Sequence, residues 1–233
     1  GSLATPMSGG LETLTKLEFL TAWRTWRVWM SQDVPSLYSV SSPEAWTPCE
    51  AMQARCGYLE MNPPACACDS CPGDDTHCGI HAYNQQGFRS NLVGGTRPRL
   101  VQQHLTDIIG RVALWGTVIE HEEGFRGQYA YPLSLSDGHC EMCTTGLRSL
   151  NEMWALIYES GEGWVIWLCE DHAKDGLDRT TVMGPPRDFV GQHPDSVQNV
   201  INVMDKRGPG WVLKPGLEVA NVIAELYQLA IET

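Results

Sequence analysis

Two pairs of metal-seeking side chains constrain this chain more than anything else in it. Cys140 and Cys143 lie in "GHCEMC", and Cys169 and His172 lie in "WVIWLCEDH". Two thiols separated by two residues can close on one ion from a single tight turn. A Cys and a His three apart share one face of a helical turn. Four such donors in two close pairs are the ligand set of a tetrahedral zinc site, and four protein ligands leave no open position for water. The expected ion is therefore structural. It would organise a segment too short to bury enough apolar surface by itself.

Between the pairs, "MWALIYESGEGWVIWL" reads as two apolar strands around Ser160-Gly161-Glu162-Gly163, a hairpin signature. The order knuckle, hairpin, helix start over residues 139–175 resembles that of treble-clef zinc fingers. The resemblance implies one zinc held by Cys140, Cys143, Cys169 and His172.

A second group of thiols lies upstream: Cys49, Cys56, Cys66, Cys68, Cys71 and Cys78, with His77 and His81 among or beside them. They cluster by motif spacing, and in a chain without a secretion signal that favours metal over disulfides. Cys68 and Cys71 have the best pair spacing, and Cys56 and Cys78 flank them. These four are the expected ligands of a second zinc, with His77, His81, Cys49 and Cys66 as substitutes. Six is an even number, so a disulfide framework is the competing reading.

Charge bounds the partner. Lys and Arg number 16 against 28 Asp and Glu, a formal charge of −12. Nonspecific grip on nucleic acid runs on cations that neutralise phosphates, so the balance argues against it. The stretch 137–178 is itself acidic, so a protein-partner surface, or simple solubility, fits the zinc module better than nucleic acid. A nucleic-acid reading would need a basic, aromatic-bearing surface around Arg89, Arg97, Arg99 and Arg111. There is no apolar run of about 18 residues, so no membrane span is expected. The leading Gly1-Ser2 reads as a cloning remnant and Met7 as the native start. No signal peptide is read in "LETLTKLEFLTAWRTWRVWM", which Lys16, Arg24 and Arg27 interrupt. A cytoplasmic location is the expectation.

Periodicity sketches the rest. Leu11, Leu14, Leu17 and Leu20 form a helical stripe that passes into a strand near residues 22–29. Trp23, Trp26 and Trp29, at spacing three, read either as a binding stripe or as core, and core is favoured. Residues 84–99 read as an exposed loop. "IIGRVALWGTVIEHE" and "GFRGQYAYPLSL" predict a hairpin over 108–135, with a bulge or bend at Gly116. "PDSVQNVINVMDKRG" and "PGLEVANVIAELYQLAIET" each carry a helix start and helical periodicity. The expected architecture is α+β. Residues 1–135 form a domain of mixed strands with the Cys-rich loop, and 136–233 form the treble-clef module with two C-terminal helices.

The polar run "EHEEGFR" is the one candidate for catalysis. On a strand, Glu120 and Glu122 share one face and His121 takes the other. With Arg126 they could do acid–base work. The favoured reading is a polar strand end, with Arg126 pairing a carboxylate across the hairpin. His139 and His193 are single and read as surface residues. No phosphate loop, nucleophile elbow or H-E-x-x-H motif is present.

Cys56, then "CGIHAY" from Cys78, then "LWGTVIEHEEGFRGQYAYP" over residues 114–132 form a further pattern. Over residues 22–132 the chain resembles a group of small uncharacterised proteins of actinobacteria and their phages. The group's Cys-x-Cys-Gly-Ile stretch is altered here, with Thr76 two residues before Cys78. The resemblance implies a bacterial or phage setting and no particular activity. The expected function is a non-enzymatic, zinc-stabilised, protein-binding protein. A nucleic-acid-binding regulator and an enzyme using Glu120, His121 and Arg126 are the alternatives.

Overall fold

Alternation in "LTAWRTWRVWMS" decides the first element, β1 (Leu20–Ser31). In the computed structural model, which describes residues 19–40, 44–55, 71–73, 78–93, 107–140, 143, 146–158, 161–173 and 211–232, β1 buries Ala22, Arg24, Trp26, Val28 and Met30. Trp23 and Trp29 point to the opposite face, because successive strand residues alternate sides. The strand expected at 22–29 is present. The helical stripe proposed before it falls outside the described residues, save Leu20, which belongs to the strand. Gln32 and Asp33, at φ 51° and 64°, turn the chain into β2 (Val34–Ser39). Two positive φ values are what a primed two-residue hairpin turn requires.

The hairpin expected at 108–135 is the backbone of the fold. β3 (Met52–Gln53) and β4 (Ile80–Tyr83) precede it. β5 (Asp107–His121) and β6 (Gly124–Gly138) pair along most of their length. Their register shifts between Trp115 and Val118, around Gly116 at φ 76°, which is the expected bend. β5 also pairs with β1, and β6 pairs with β4. β4 meets β1 at Tyr83 and Trp23, so the four strands close a circuit. Arg24 lies buried within it. Its guanidinium donates to the His81 carbonyl and to Ser39 Oγ (3.2 Å) and lies over the Trp46 ring. Burial lowers its pKa to about 10, so it remains a cation at neutral pH.

After β7 (Arg148–Ser149) the chain builds a second sheet. β8 (Met153–Tyr158) is its centre, with β10 (Ile166–Cys169) and β11 (Trp211–Pro215) antiparallel on either side. Between β8 and β10, the short β9 (Gly163–Trp164) pairs with Trp29 and Met30 of β1, just past Arg27, where the pairing of β1 with the start of β5 stops. The division expected after residue 135 falls inside β6. Trp26 and Leu114 from one side of it share a core with Trp167 and Ile223 from the other.

The described residues are mostly strand, with few helical segments. Residues 85–93, read as loop, contain α1 (Gln85–Gly87) running into a π-helical turn over Phe88–Val93. The Asn84 side chain accepts from Gly87 N (2.8 Å) and donates to the Glu122 carbonyl (2.9 Å). A cap seated on the β5–β6 turn makes this segment, and no apolar periodicity announces it. α2 (Gly216–Tyr227) starts at the expected Pro215-Gly216 and ends at Gln228 in the left-handed region. The other C-terminal helix, expected at 194–208, lies outside the described residues. After α2, β12 (Ala230–Ile231) pairs parallel with β6.

Tyr227 ties α2 to the sheet. Its buried hydroxyl accepts from Leu37 N (3.0 Å) and donates to the Trp46 carbonyl (2.5 Å). Its own carbonyl accepts from Tyr131 Oη (2.7 Å). Tyr227→Phe should therefore destabilise the fold by about 1–3 kcal/mol, because a buried donor and acceptor lose their partner. Urea unfolding monitored by tryptophan fluorescence measures this. Burial pushes the Tyr227 phenol up to about 12. Its folded pKa lies above the unfolded value near 10, so its contribution is complete below about pH 10 and is lost as pH rises through 12. Tyr227→Phe should remove that part of the alkaline unfolding transition.

Candidate metal centre

The two motifs converge although nearly thirty residues separate them. Cys140 follows the end of β6 and is buried, and the Cys143 amide donates back to the Cys140 carbonyl (3.2 Å), closing the expected knuckle. Cys169 is the last residue of β10, and His172 follows in a helical turn over 170–173. The antiparallel pairing of β10 with β8, Cys169 opposite Met153, brings the second pair to the first. β10 is buried on both faces, which fixes the Cys169 position from every side.

The four donor atoms all lie within 4.8 Å of one another. Cys143 Sγ and Cys169 Sγ are 3.7 Å apart. His172 Nδ1 is 3.4 Å from Cys140 Sγ, 3.5 Å from Cys143 Sγ and 3.1 Å from Cys169 Sγ. A tetrahedral ion with sulfur at about 2.3 Å and nitrogen at about 2.0–2.1 Å has S···S edges of about 3.8 Å and S···N edges of about 3.6 Å. A disulfide between Cys143 and Cys169 would need about 2.05 Å. The group therefore has the dimensions of a coordination shell, and it could hold a metal ion. Nδ1 faces the sulfurs, so an ion held there would be ligated through Nδ1 and would leave the imidazole proton on Nε2. Burial pushes the Cys143 thiol above its ordinary range, and the neighbouring Cys169 adds to the rise. A metal must displace that proton, so binding here tightens as pH rises.

The second cysteine group is only partly described. Cys56 and Cys68 lie outside the described residues, as do Cys66 and His77. Cys71 and Cys78 are half-buried, and Gly73 N donates to Cys78 Sγ (3.4 Å). Gly79 lies within close packing distance of both Pro72 and Arg126, so the segment 71–73 folds back on 78–79 against β6. Cys49 is elsewhere: its amide donates to Tyr131 Oη (2.9 Å) and its sulfur contacts the Leu226 carbonyl of α2. His81 lies in β4 with its side chain exposed, opposite Arg126.

The polar run has a different arrangement from the one expected. β5 ends at His121, and Glu122 and Glu123 form the turn, so the alternation stops after His121. Arg126 is buried. Its Nε donates to His121 Nε2 (2.6 Å) and its Nη1 to the Cys78 carbonyl (3.2 Å). Arg126 thus meets an imidazole across the hairpin and ties β6 to the cysteine loop. Glu120, Glu122 and Glu123 are exposed. His139, expected on the surface, is buried with its amide on the Asp107 carbonyl (3.0 Å), because it continues the β5–β6 ladder. His193 lies outside the described residues.

No helix of the described residues is long and apolar enough to cross a membrane. The chain matches no protein-family model, no curated protein and no solved structure.

Proposed function

We propose that this chain is a non-enzymatic protein, stabilised by zinc, that binds another protein. The observation that carries it is the closure of three sulfurs and one imidazole nitrogen on a single point at tetrahedral spacing. Thiolate and imidazole donors suit zinc, and four of them leave it no site for substrate or water. The ion joins the end of β6 to the end of β10 and so works as a cross-link. Knuckle, β8–β10 hairpin and a helical turn bearing His172 support reading residues 139–175 as a treble clef. Cys71 and Cys78 belong in this reading to a second zinc site, with Cys56 and Cys68 as its other ligands, and the N–H···S contact from Gly73 supports a thiolate at Cys78.

The protein partner is inferred from the acidic charge balance of the chain and from the engagement of His121 by Arg126 in the polar run. The His121 Nε2 lone pair is engaged by Arg126, which leaves it no hydrogen-bonding capacity for a base's work in this state. The bacterial or phage setting rests on the resemblance over residues 22–132. Affinity capture with the tagged chain from an actinobacterial extract should enrich one partner in near-stoichiometric amount. His121→Gln should capture it equally. Failure to capture any protein at low salt would count against the reading, and so would a turnover activity that His121→Gln abolishes.

A further inference from the structure

Positive charge is concentrated in one stretch of this acidic chain. Residues 85–111 contain Arg89, Arg97, Arg99 and Arg111 against a single acid, Asp107, which is buried. The described part of this stretch brings one of the arginines, Arg111, to a set of aromatic rings. Arg111 lies over the Trp23 ring, with its guanidinium carbon 3.7 Å from the centroid. Phe88 stacks on Trp23 at 4.1 Å with the planes 18° apart. One ring face cannot hold both at those distances, so Arg111, Trp23 and Phe88 form three layers. The Trp23 Nε1 proton goes to Gln85 Oε1 (3.3 Å), which fixes the indole's orientation.

Phe88 is the outer leaf of this stack and is half-buried. Beside it Gln85, Gln86, Arg89 and Ser90 line an open concavity of about 460 Å³. All four are exposed. The arrangement pairs an aromatic leaf with an adjacent exposed cation and exposed amide side chains. A flat, π-faced group can stack on such a leaf while a phosphate joined to it through the sugar meets the cation. That combination is how sequence-tolerant sites hold unpaired bases. A base within a duplex has no free face to offer. The acid at the rim is Glu123, whose carboxylate accepts from Ser90 Oγ (3.1 Å).

We propose that the face formed by Phe88 and Arg89 binds single-stranded nucleic acid, with Phe88 stacking on a base and Arg89 contacting a phosphate. Arg111 orients the stack through Trp23. The proposal does not depend on the metal centre or on a protein partner. Arg97 and Arg99 lie outside the described residues, and the site is complete without them.

Fluorescence anisotropy with a labelled oligothymidylate of about 16 nucleotides, titrated over a range of salt, tests it. Binding is expected at low salt, weakening linearly in log–log form as salt rises. Arg89→Gln should lower affinity and reduce the magnitude of the salt slope by about 0.7, the share of one phosphate contact on a single strand. Phe88→Leu, which keeps apolar packing against Trp23 but removes the aromatic face, should weaken binding roughly tenfold with the slope unchanged. Glu123→Gln should strengthen it. Thermal melting of each variant confirms that the fold is intact. No binding at low salt overturns the proposal. So does binding that Arg89→Gln leaves unaltered, or equal affinity for a duplex with no loss in Phe88→Leu. Displacement by polyglutamate as effective as by oligothymidylate overturns it too, in favour of an acidic polypeptide.

Discussion

Cys169→Ser is expected to release one zinc per chain and to unfold the β8–β10 region around it. The serine hydroxyl is a poor zinc ligand, and the three remaining donors lose the closed shell that excludes water. Structural zinc contributes on the order of 10 kcal/mol of apparent binding free energy in small modules at neutral pH, so loss of one ligand outweighs any single packing contact. Here an ion at the site would join β6, the strand with the most partners in the large sheet, to β10, which is buried throughout. Native mass spectrometry of the reduced protein reads the metal directly. The wild type should hold two zincs and Cys169→Ser one. Hydrogen exchange should show lost protection in residues 153–158 and 166–169. Cys49→Ser is the control, because Cys49 is exposed and lies against α2 and Tyr131, so metal content should not change. A Cys169→Ser protein that retains both ions would remove the foundation of the zinc reading.

Trp26→Ala should cost about 3–5 kcal/mol, the range for truncating a large aromatic in a packed core. Trp26 is fully buried and meets the equally buried Trp46 edge to face, with centroids 5.9 Å apart. Trp29→Ala, three residues along the same strand, should cost less than half as much. Its ring is half-buried and packs against Trp164 at 5.0 Å on the other face. Chemical denaturation of the two variants compares them. Equal losses would mean that the two rings share one environment, against the strand parity of β1.

That pair of tryptophans shows how the same letters can support two structures. On a helix, Trp23, Trp26 and Trp29 would make one stripe. On a strand, odd and even spacing assigns them to opposite faces, and the indole that matters most for stability is the middle one. The strand itself was legible from its β-branched and aromatic content, and its alternation then decided the burial. The hairpin β5–β6 was legible for the same reason, as was the bend at Gly116, since a glycine inside an apolar strand pattern has few other uses. α1 was not legible. Three residues capped by Asn84 and resting on the carbonyls of a distant turn have no periodicity to detect. β11 and β12 were not legible either, and each exists because a longer strand offers it an edge. Arg126 looked like half of a surface ion pair, yet it is buried because β4 and the cysteine loop cover it.

The sequence by itself determined the four side chains of the candidate metal centre: Cys-x-x-Cys and Cys-x-x-His spacings are local, and local geometry is enough to present each pair. It also determined the main hairpin, the first strand and the start of α2, all through short-range periodicity and turn chemistry. Only the tertiary structure decided that the two ligand pairs meet, through the β8–β10 register, and that β9 stitches the hairpin bearing the second pair onto β1. It alone decided that Phe88, Trp23 and Arg111, 23 and 65 residues from one another in sequence terms at nearest, form one stack. Those outcomes depend on strand pairing between segments far apart in the chain, where no local rule acts and only the shared burial of apolar faces selects the partner.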